Sequence, residues 1–203
     1  MNNLTNTAKK LDKVFEIAHI VFGALAIASI VGVALIAAAY ILKLDPSMIG
    51  TGYDSLDIGF LELEIAGNYA PDRWLVLLQA AVTLLISCRL FYDCRRGVGY
   101  IREILHPMKN EKPFDSIIST NLKKLARLSI SLGILFNFIS LFEQIMVVFV
   151  YHLPELMVSE KIAHVGGMFS VDLTFLVCWG ILHLLSYVFR YGEELQQLSD
   201  ETL

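Results

Sequence analysis

Charged residues are scarce in this chain of 203 residues, making up 18% of it against 56% hydrophobic residues. Soluble domains carry about 25% charged residues. The shortage, together with a mean hydropathy of +0.60, excludes an ordinary water-soluble domain and indicates a membrane protein that contacts the lipid bilayer. The net charge of −4 also excludes a generic nucleic-acid binder, which needs clustered Lys and Arg to displace phosphate counterions. We therefore expect no direct contact with nucleic acid.

Cysteines and catalytic motifs are also few. Cys88, Cys94 and Cys178 form no CxxC pair, and no histidine stands at zinc-ligand spacing from them. We therefore expect no disulfide framework, no metal site and no cofactor. The chain lacks a Gly-rich phosphate loop, a GxSxG elbow and an HExxH helix. Without such motifs, we predict no catalytic residues and no enzyme activity.

Long apolar runs are what the sequence has in abundance, at residues 14–42, 74–91, 125–151 and 171–189. A helix of about 20 apolar residues crosses the hydrocarbon of a bilayer. The runs predict an all-α integral membrane protein, a single domain over residues 1–203 with four transmembrane helices. Residues 43–73 would form an external loop. Within it, apolar and polar residues alternate, which predicts a small extracellular β-element between helices 1 and 2.

Lysines and arginines are distributed unequally between the connecting segments. Thirteen of the 16 lie before the first run, within residues 89–127, or after the fourth run. Because cationic residues are retained in the cytoplasm during insertion, we predict a cell (inner or plasma) membrane protein with both termini cytoplasmic. Residues 89–127 would then form a cytoplasmic helical hairpin, and Asp115 or Ser116 would cap its second helix.

Two stretches in the second half of the chain carry a family resemblance. The first reads KPFD at residues 112–115 and continues as NLKKLA at 121–126; the second reads SVDLT at 170–174 and VFRYGEELQ at 188–196. Together they resemble the bacterial four-pass membrane family catalogued as domain of unknown function 2975. Members of that family are often encoded beside a very small helix-turn-helix regulator. The resemblance therefore implies a DNA-binding protein as partner, and it implies no catalytic residues.

Charged residues on the predicted cytoplasmic face are the candidates for binding that partner: Arg95, Arg96, Arg102, Lys123, Lys124, Arg190, Glu193 and Glu194. The tail after residue 190 is acidic and would complement a basic DNA-binding surface. We expect a non-enzymatic regulatory protein that binds the regulator, with an external or membrane signal shifting its affinity. A simpler interpretation is that the arginines next to the second run anchor the helix and attract anionic lipid.

Four polar residues fall within the predicted spans: Asn137, Glu143, Gln144 and Asp172. Polar groups are costly in hydrocarbon, so each is either a structural hydrogen bond or part of a functional site. Asn137 is most simply an interhelical hydrogen bond. Glu143 and Asp172 leave open a different class of function, a small oligomeric transporter or channel component that uses them as a polar path.

Histidines and small residues add two further hypotheses. His19 and His183 are predicted at comparable depths, so a haem-binding membrane protein is a third alternative. Ala24, Ala28 and Gly32 recur every four residues on the first helix. Such a stripe lets another helix approach closely. That helix belongs either to the same chain or to a second copy, which would make the protein a homo-oligomer.

Overall fold

The computed structural model describes residues 2–44, 55–58, 61–64, 73–109, 114–150 and 171–201. Nearly all of these lie in four helices: α1 (Asn2–Ile41), α2 (Arg73–Lys109), α3 (Ser116–Val150) and α4 (Thr174–Glu201). Each helix is long and apolar enough to cross a membrane. The predicted helical class and the four membrane helices are therefore confirmed, and the chain is a multi-pass membrane protein.

The helices are longer than the hydrocarbon layer that they cross. They contain between 28 and 40 residues. At about 1.5 Å per residue they measure about 42 to 60 Å, against about 30 Å of hydrocarbon. α1 starts well before the apolar run that begins at Val14, and α2 continues well past the run that ends at Phe91. The extension of α2 carries three of the predicted partner-binding residues: Arg95, Arg96 and Arg102.

The ends of α2 and α3 are set by local chemistry. α2 includes Pro107 and ends at Lys109. A proline in the last turn removes one backbone hydrogen bond without unwinding the helix there. α3 begins after Asp115, whose carboxylate accepts a hydrogen bond from the backbone N–H of Ile117 (2.9 Å). Asp115 is therefore the cap, one of the two candidates that the sequence predicts.

Two short strands, β1 (Ser55–Ile58) and β2 (Leu61–Glu64), lie between α1 and α2. They pair antiparallel, with Ser55 opposite Glu64 and Ile58 opposite Leu61. The pairing does not place the strands outside a membrane, so the extracellular β-element remains a prediction. Most of the remaining predicted external loop, residues 43–73, lies outside the described residues.

The chain forms two compact units. Unit 1 comprises Met1–Ile27, Cys88–Phe138 and Ser170–Leu203, and unit 2 comprises Ala28–Ser87 and Ile139–Phe169. The largest fully buried side chains of the described residues all belong to unit 1: Ile118, Asn121, Asp93 and Ser186. Three of these four are polar. In unit 2 the buried side chains include those of Ala39, Val76 and Leu77.

Large apolar side chains cover the outside of the helices. Leu184 is 68% exposed and Val177 is 62% exposed in unit 1, and Ile41 is 76% exposed in unit 2. In water such exposure would be unfavourable, whereas lipid tails solvate these side chains as well as a protein interior does. This exposed apolar surface therefore indicates hydrocarbon as the solvent.

Gly32 allows α1 and α2 to approach closely in unit 2. A Cβ atom added at Gly32 would lie 2.9 Å from Cδ1 of Leu84 on α2. Further along the same pair of helices, the rings of Tyr40 and Trp74 meet edge to face with centroids 5.1 Å apart. At Gly32, the last member of the small-residue stripe, the neighbouring helix thus belongs to the same chain.

Candidate functional site

The extensions of α1 and α2 are joined by ion pairs around Asp12. Arg102 Nε donates to one oxygen of the Asp12 carboxylate (3.1 Å), and Lys109 Nζ donates to the other. Glu16 lies 3.9 Å from the same guanidinium. The side chains of Asp12 and Lys109 are only 19% and 22% exposed. Arg102, a predicted partner-binding residue, therefore holds α1 against α2.

Both ring nitrogens of His19, on α1, contact Arg95, on α2. Its Nδ1 lies 3.2 Å from the Arg95 carbonyl oxygen, and its Nε2 accepts from Arg95 Nε (3.1 Å). One tautomer, with the proton on Nδ1, satisfies both contacts. His183 instead stacks on Trp179, with centroids 5.4 Å apart, and meets Tyr187 edge to face. Iron could be bound by His19 only after one of its hydrogen bonds breaks, which weakens the haem hypothesis.

Asp93 is a buried carboxylate between two arginines of α2. Its side chain is 1% exposed, whereas those of Arg89 and Arg96 are 58% and 46% exposed. Arg89 Nε donates to one oxygen (3.0 Å). The other oxygen, Oδ1, lies 3.8 Å from Arg96 and accepts no hydrogen bond in the described part of the chain. Arg96 donates instead to the hydroxyl of Tyr100 (3.0 Å).

Asn121 connects α2 and α3, although the sequence did not single it out as a site residue. Its side chain is buried, its amide donates to Glu103 (2.8 Å), and its carbonyl oxygen accepts from Lys124 (3.0 Å). The ammonium of Lys124 also lies 5.2 Å from the ring centroid of Tyr100. The position of Asn121, three residues after Ile118 and on the same helix face, is the sequence feature that could have identified it.

An open cavity of about 340 Å³ lies beside this connection, and its lining includes Glu103, His106, Thr120 and Asn121. These side chains offer a carboxylate, an imidazole, a hydroxyl and an amide. Among the described residues, however, no group of three or more metal-ligating side chains comes together. The cavity therefore has hydrogen-bonding capacity without a set of ligands for a metal ion.

Asn137 and Asp172 join α3 to the start of α4. The Asn137 amide donates to the backbone carbonyl of Asp172 (2.9 Å), and its oxygen accepts from the Asp172 backbone N–H (2.8 Å). The Asp172 carboxylate accepts from the backbone N–H of Thr174 (2.8 Å) and caps α4. α4 consequently begins three residues after the predicted start of the fourth span.

The two stretches that carry the family resemblance meet at Phe114. Its ring packs on Gly192 of α4 so closely that a Cβ atom there would lie 2.5 Å from the ring, and it lies 6.2 Å from the ring of Phe189. Lys123 adds a second contact, with its ammonium 5.8 Å from the ring centroid of Tyr187. The start of α3 is therefore attached to α4 just where the acidic tail begins.

The tail of α4 presents both charge and apolar surface. Arg190 donates to Glu194 (3.1 Å), and both side chains are more than half exposed. Glu193 is partly buried. Tyr191 and Leu195 are 63% and 50% exposed. Among the predicted partner-binding residues, Arg95 and Arg102 are hydrogen-bonded to another helix, whereas the tail residue Arg190 pairs with Glu194 inside the tail.

The proposed polar path for ions is divided between the units. Asn137 and Asp172 belong to unit 1, whereas Glu143 and Gln144 belong to unit 2. The Gln144 amide donates to the hydroxyl of Ser140 one turn earlier on the same helix (3.2 Å). Glu143 is exposed, and in the described structure it forms no ion pair. None of these contacts adds support to the transporter hypothesis.

These helices and contacts define the class: a multi-pass helical membrane protein whose helix extensions are joined by a buried network of charged and amide side chains. No family model, no curated protein and no solved structure matches the chain. The resemblance to domain of unknown function 2975 thus stands on the residues quoted above and remains a prediction.

Proposed function

We propose that this chain is a non-enzymatic regulatory protein of the cell membrane that holds a small helix-turn-helix DNA-binding protein at the cytoplasmic face. In this proposal both termini and the hairpin of residues 89–127 are cytoplasmic, and residues 43–73 with their two strands are external. The distribution of lysine and arginine supports the orientation. The family resemblance supports the kind of partner.

The observation that carries the proposal is the helical tail. α4 continues to Glu201, well beyond the predicted end of the fourth span at Phe189. This extension is about 18 Å long. It presents exposed Tyr191 and Leu195 beside the carboxylate of Glu194. Aromatic and apolar side chains next to negative charge suit a partner with a basic surface and an apolar patch, as a DNA-binding protein has.

The basic residues of the hairpin have a different role in this proposal. Arg95 and Arg102 contact α1, and Lys124 contacts Asn121 and Tyr100. They position the helices and leave docking to the tail. A signal reaches the tail through the start of α3, which packs on it. Regulation then requires that the contact between the start of α3 and the tail has two arrangements, and that the chain binds the partner with a different affinity in each.

Co-purification with a small helix-turn-helix protein of the kind that is encoded beside members of the resembled family tests this function. The full chain in detergent should retain that protein, and the double variant Glu193→Lys, Glu194→Lys should retain it about tenfold less, because two attractive charges become repulsive. The control reverses two exposed lysines of α1, Lys9→Glu and Lys10→Glu, and should bind normally. Unchanged binding by the tail variant would remove the tail from the proposal, and no binding by the natural chain would overturn the proposal itself.

A further inference from the structure

A second cavity, of about 300 Å³, opens on α2 directly after its apolar run. The predicted second span ends at Phe91, and the residues that line the cavity on α2 include Tyr92, Arg95, Arg96 and Gly99. Arginine and tyrosine at this position lie at the depth of the lipid headgroups. Any molecule bound at this depth is either a membrane lipid or competes with one.

Arg95 brings an uncompensated positive charge to this cavity. Within the described residues, Arg89 and Arg96 share the carboxylate of Asp93, and Arg102 pairs with Asp12. Arg95 has no carboxylate partner there, and its hydrogen-bonding side-chain contact is with the imidazole of His19. Among the described residues, Arg89, Arg95 and Arg96 together therefore have the single carboxylate of Asp93 as an ion-pair partner.

Gly99 provides the space for a ligand. A Cβ atom added at Gly99 would meet no atom within 4 Å, whereas one added at Gly97, two residues earlier, would lie 3.1 Å from Leu128. Gly97 is therefore needed for helix packing and Gly99 is not. Gly99 lines the cavity together with Arg95 and Arg96.

We propose that this cavity binds the headgroup of an anionic phospholipid, with the phosphodiester held by Arg95 and Arg96. Guanidinium groups bind phosphate oxygens in a forked geometry and stay charged at any physiological pH. Glu103 lines the same cavity. Its carboxylate disfavours a headgroup with a second phosphate and can accept hydrogen bonds from hydroxyls, and the unpaired charge of Arg95 favours a net negative headgroup; both fit phosphatidylglycerol. This inference rests on the membrane class alone and is independent of the regulator.

Native mass spectrometry of lipids retained by the full chain tests the site. The protein is extracted from vesicles containing equal amounts of phosphatidylglycerol, phosphatidylethanolamine and phosphatidylcholine. We expect preferential retention of phosphatidylglycerol. The variants Gly99→Leu, which fills the space, and Arg95→Gln, which removes the unpaired charge, should each lower that retention about tenfold.

Two matched variants control for general effects. Gly180→Leu adds the same side chain at another helical glycine with no neighbouring atom within 4 Å, and Arg127→Gln removes an exposed arginine outside the cavity. Both should retain phosphatidylglycerol as the natural chain does. Equal retention of the three lipids, or undiminished retention by Gly99→Leu, would overturn the proposal. So would protection against thermal unfolding by inorganic phosphate but not by phosphatidylglycerol, which would identify free phosphate as the ligand.

Discussion

Gly133 shows how a single missing side chain determines the contact between two helices. A Cβ atom added there would lie 2.0 Å from Cγ of Phe175 on α4. The backbone carbonyl of Gly133 also accepts a hydrogen bond from Asn137, the residue that binds the start of α4. Steric fit and hydrogen bonding therefore fix the same part of the α3–α4 contact.

We expect Gly133→Ala to destabilise the protein by about 1–3 kcal/mol, because the added methyl group forces the Phe175 ring out of its packed position. Gly180→Ala is the matched control, since its Cβ would meet no atom within 4 Å. It should be neutral or slightly stabilising, as alanine favours helix over glycine. Thermal unfolding in detergent measures both. Equal stability of Gly133→Ala and the natural chain would contradict the packing described here.

Between elements, the degree of burial decides which ion pairs matter. The pair of Arg102 with Asp12 joins two helices and has side chains 33% and 19% exposed. The pair of Arg190 with Glu194 lies within one helix and has side chains 56% and 54% exposed. Water screens the second pair far more than the first, so only the first should contribute measurably to stability.

We expect Asp12→Asn to lower stability by about 1–2 kcal/mol, since Arg102 and Lys109 then share no carboxylate at that position. Arg190→Gln should change stability by less than about 0.5 kcal/mol. Unfolding of both variants in the same detergent provides the comparison. Equal effects would mean that the ion pairs at the extensions of α1 and α2 do not hold these helices together.

For the molecule as a whole, the proposed topology makes a prediction that does not depend on any partner. If the positively charged segments are cytoplasmic, residues in the extensions of α1 and α3 face the same side, and the residue that follows α1 faces the other. Lys10 and Thr120 are exposed on these two extensions, and Lys43 follows α1.

Cysteine labelling in intact cells measures this orientation. In a variant without Cys88, Cys94 and Cys178, a membrane-impermeant maleimide should label Lys43→Cys directly. It should label Lys10→Cys and Thr120→Cys only after the cells are permeabilised. The opposite result would reverse the orientation, and labelling of all three in intact cells would refute the four-span arrangement.

The sequence by itself determined the class of the fold, because apolar runs of this length are stable as helices in hydrocarbon whatever their neighbours are. It also gave Asp115 as one of two candidate caps of α3 and Asn137 as an interhelical hydrogen-bonding residue, since both follow from local chemistry or from the cost of burying a polar group. The ion pair of Arg89 with Asp93 also follows from local chemistry, because residues four apart lie on the same face of a helix.

Only the tertiary structure decided which charged residues form ion pairs with another helix and which stay exposed for a partner. Arg102 and Asp12 are far apart in sequence, and no periodicity relates them; the ion pair exists because α1 and α2 extend side by side. The same holds for the contact of Phe114 with Gly192, which attaches the start of α3 to the tail. Contacts of this kind depend on how whole helices are placed, and a linear sequence read one segment at a time contains no direct record of that placement.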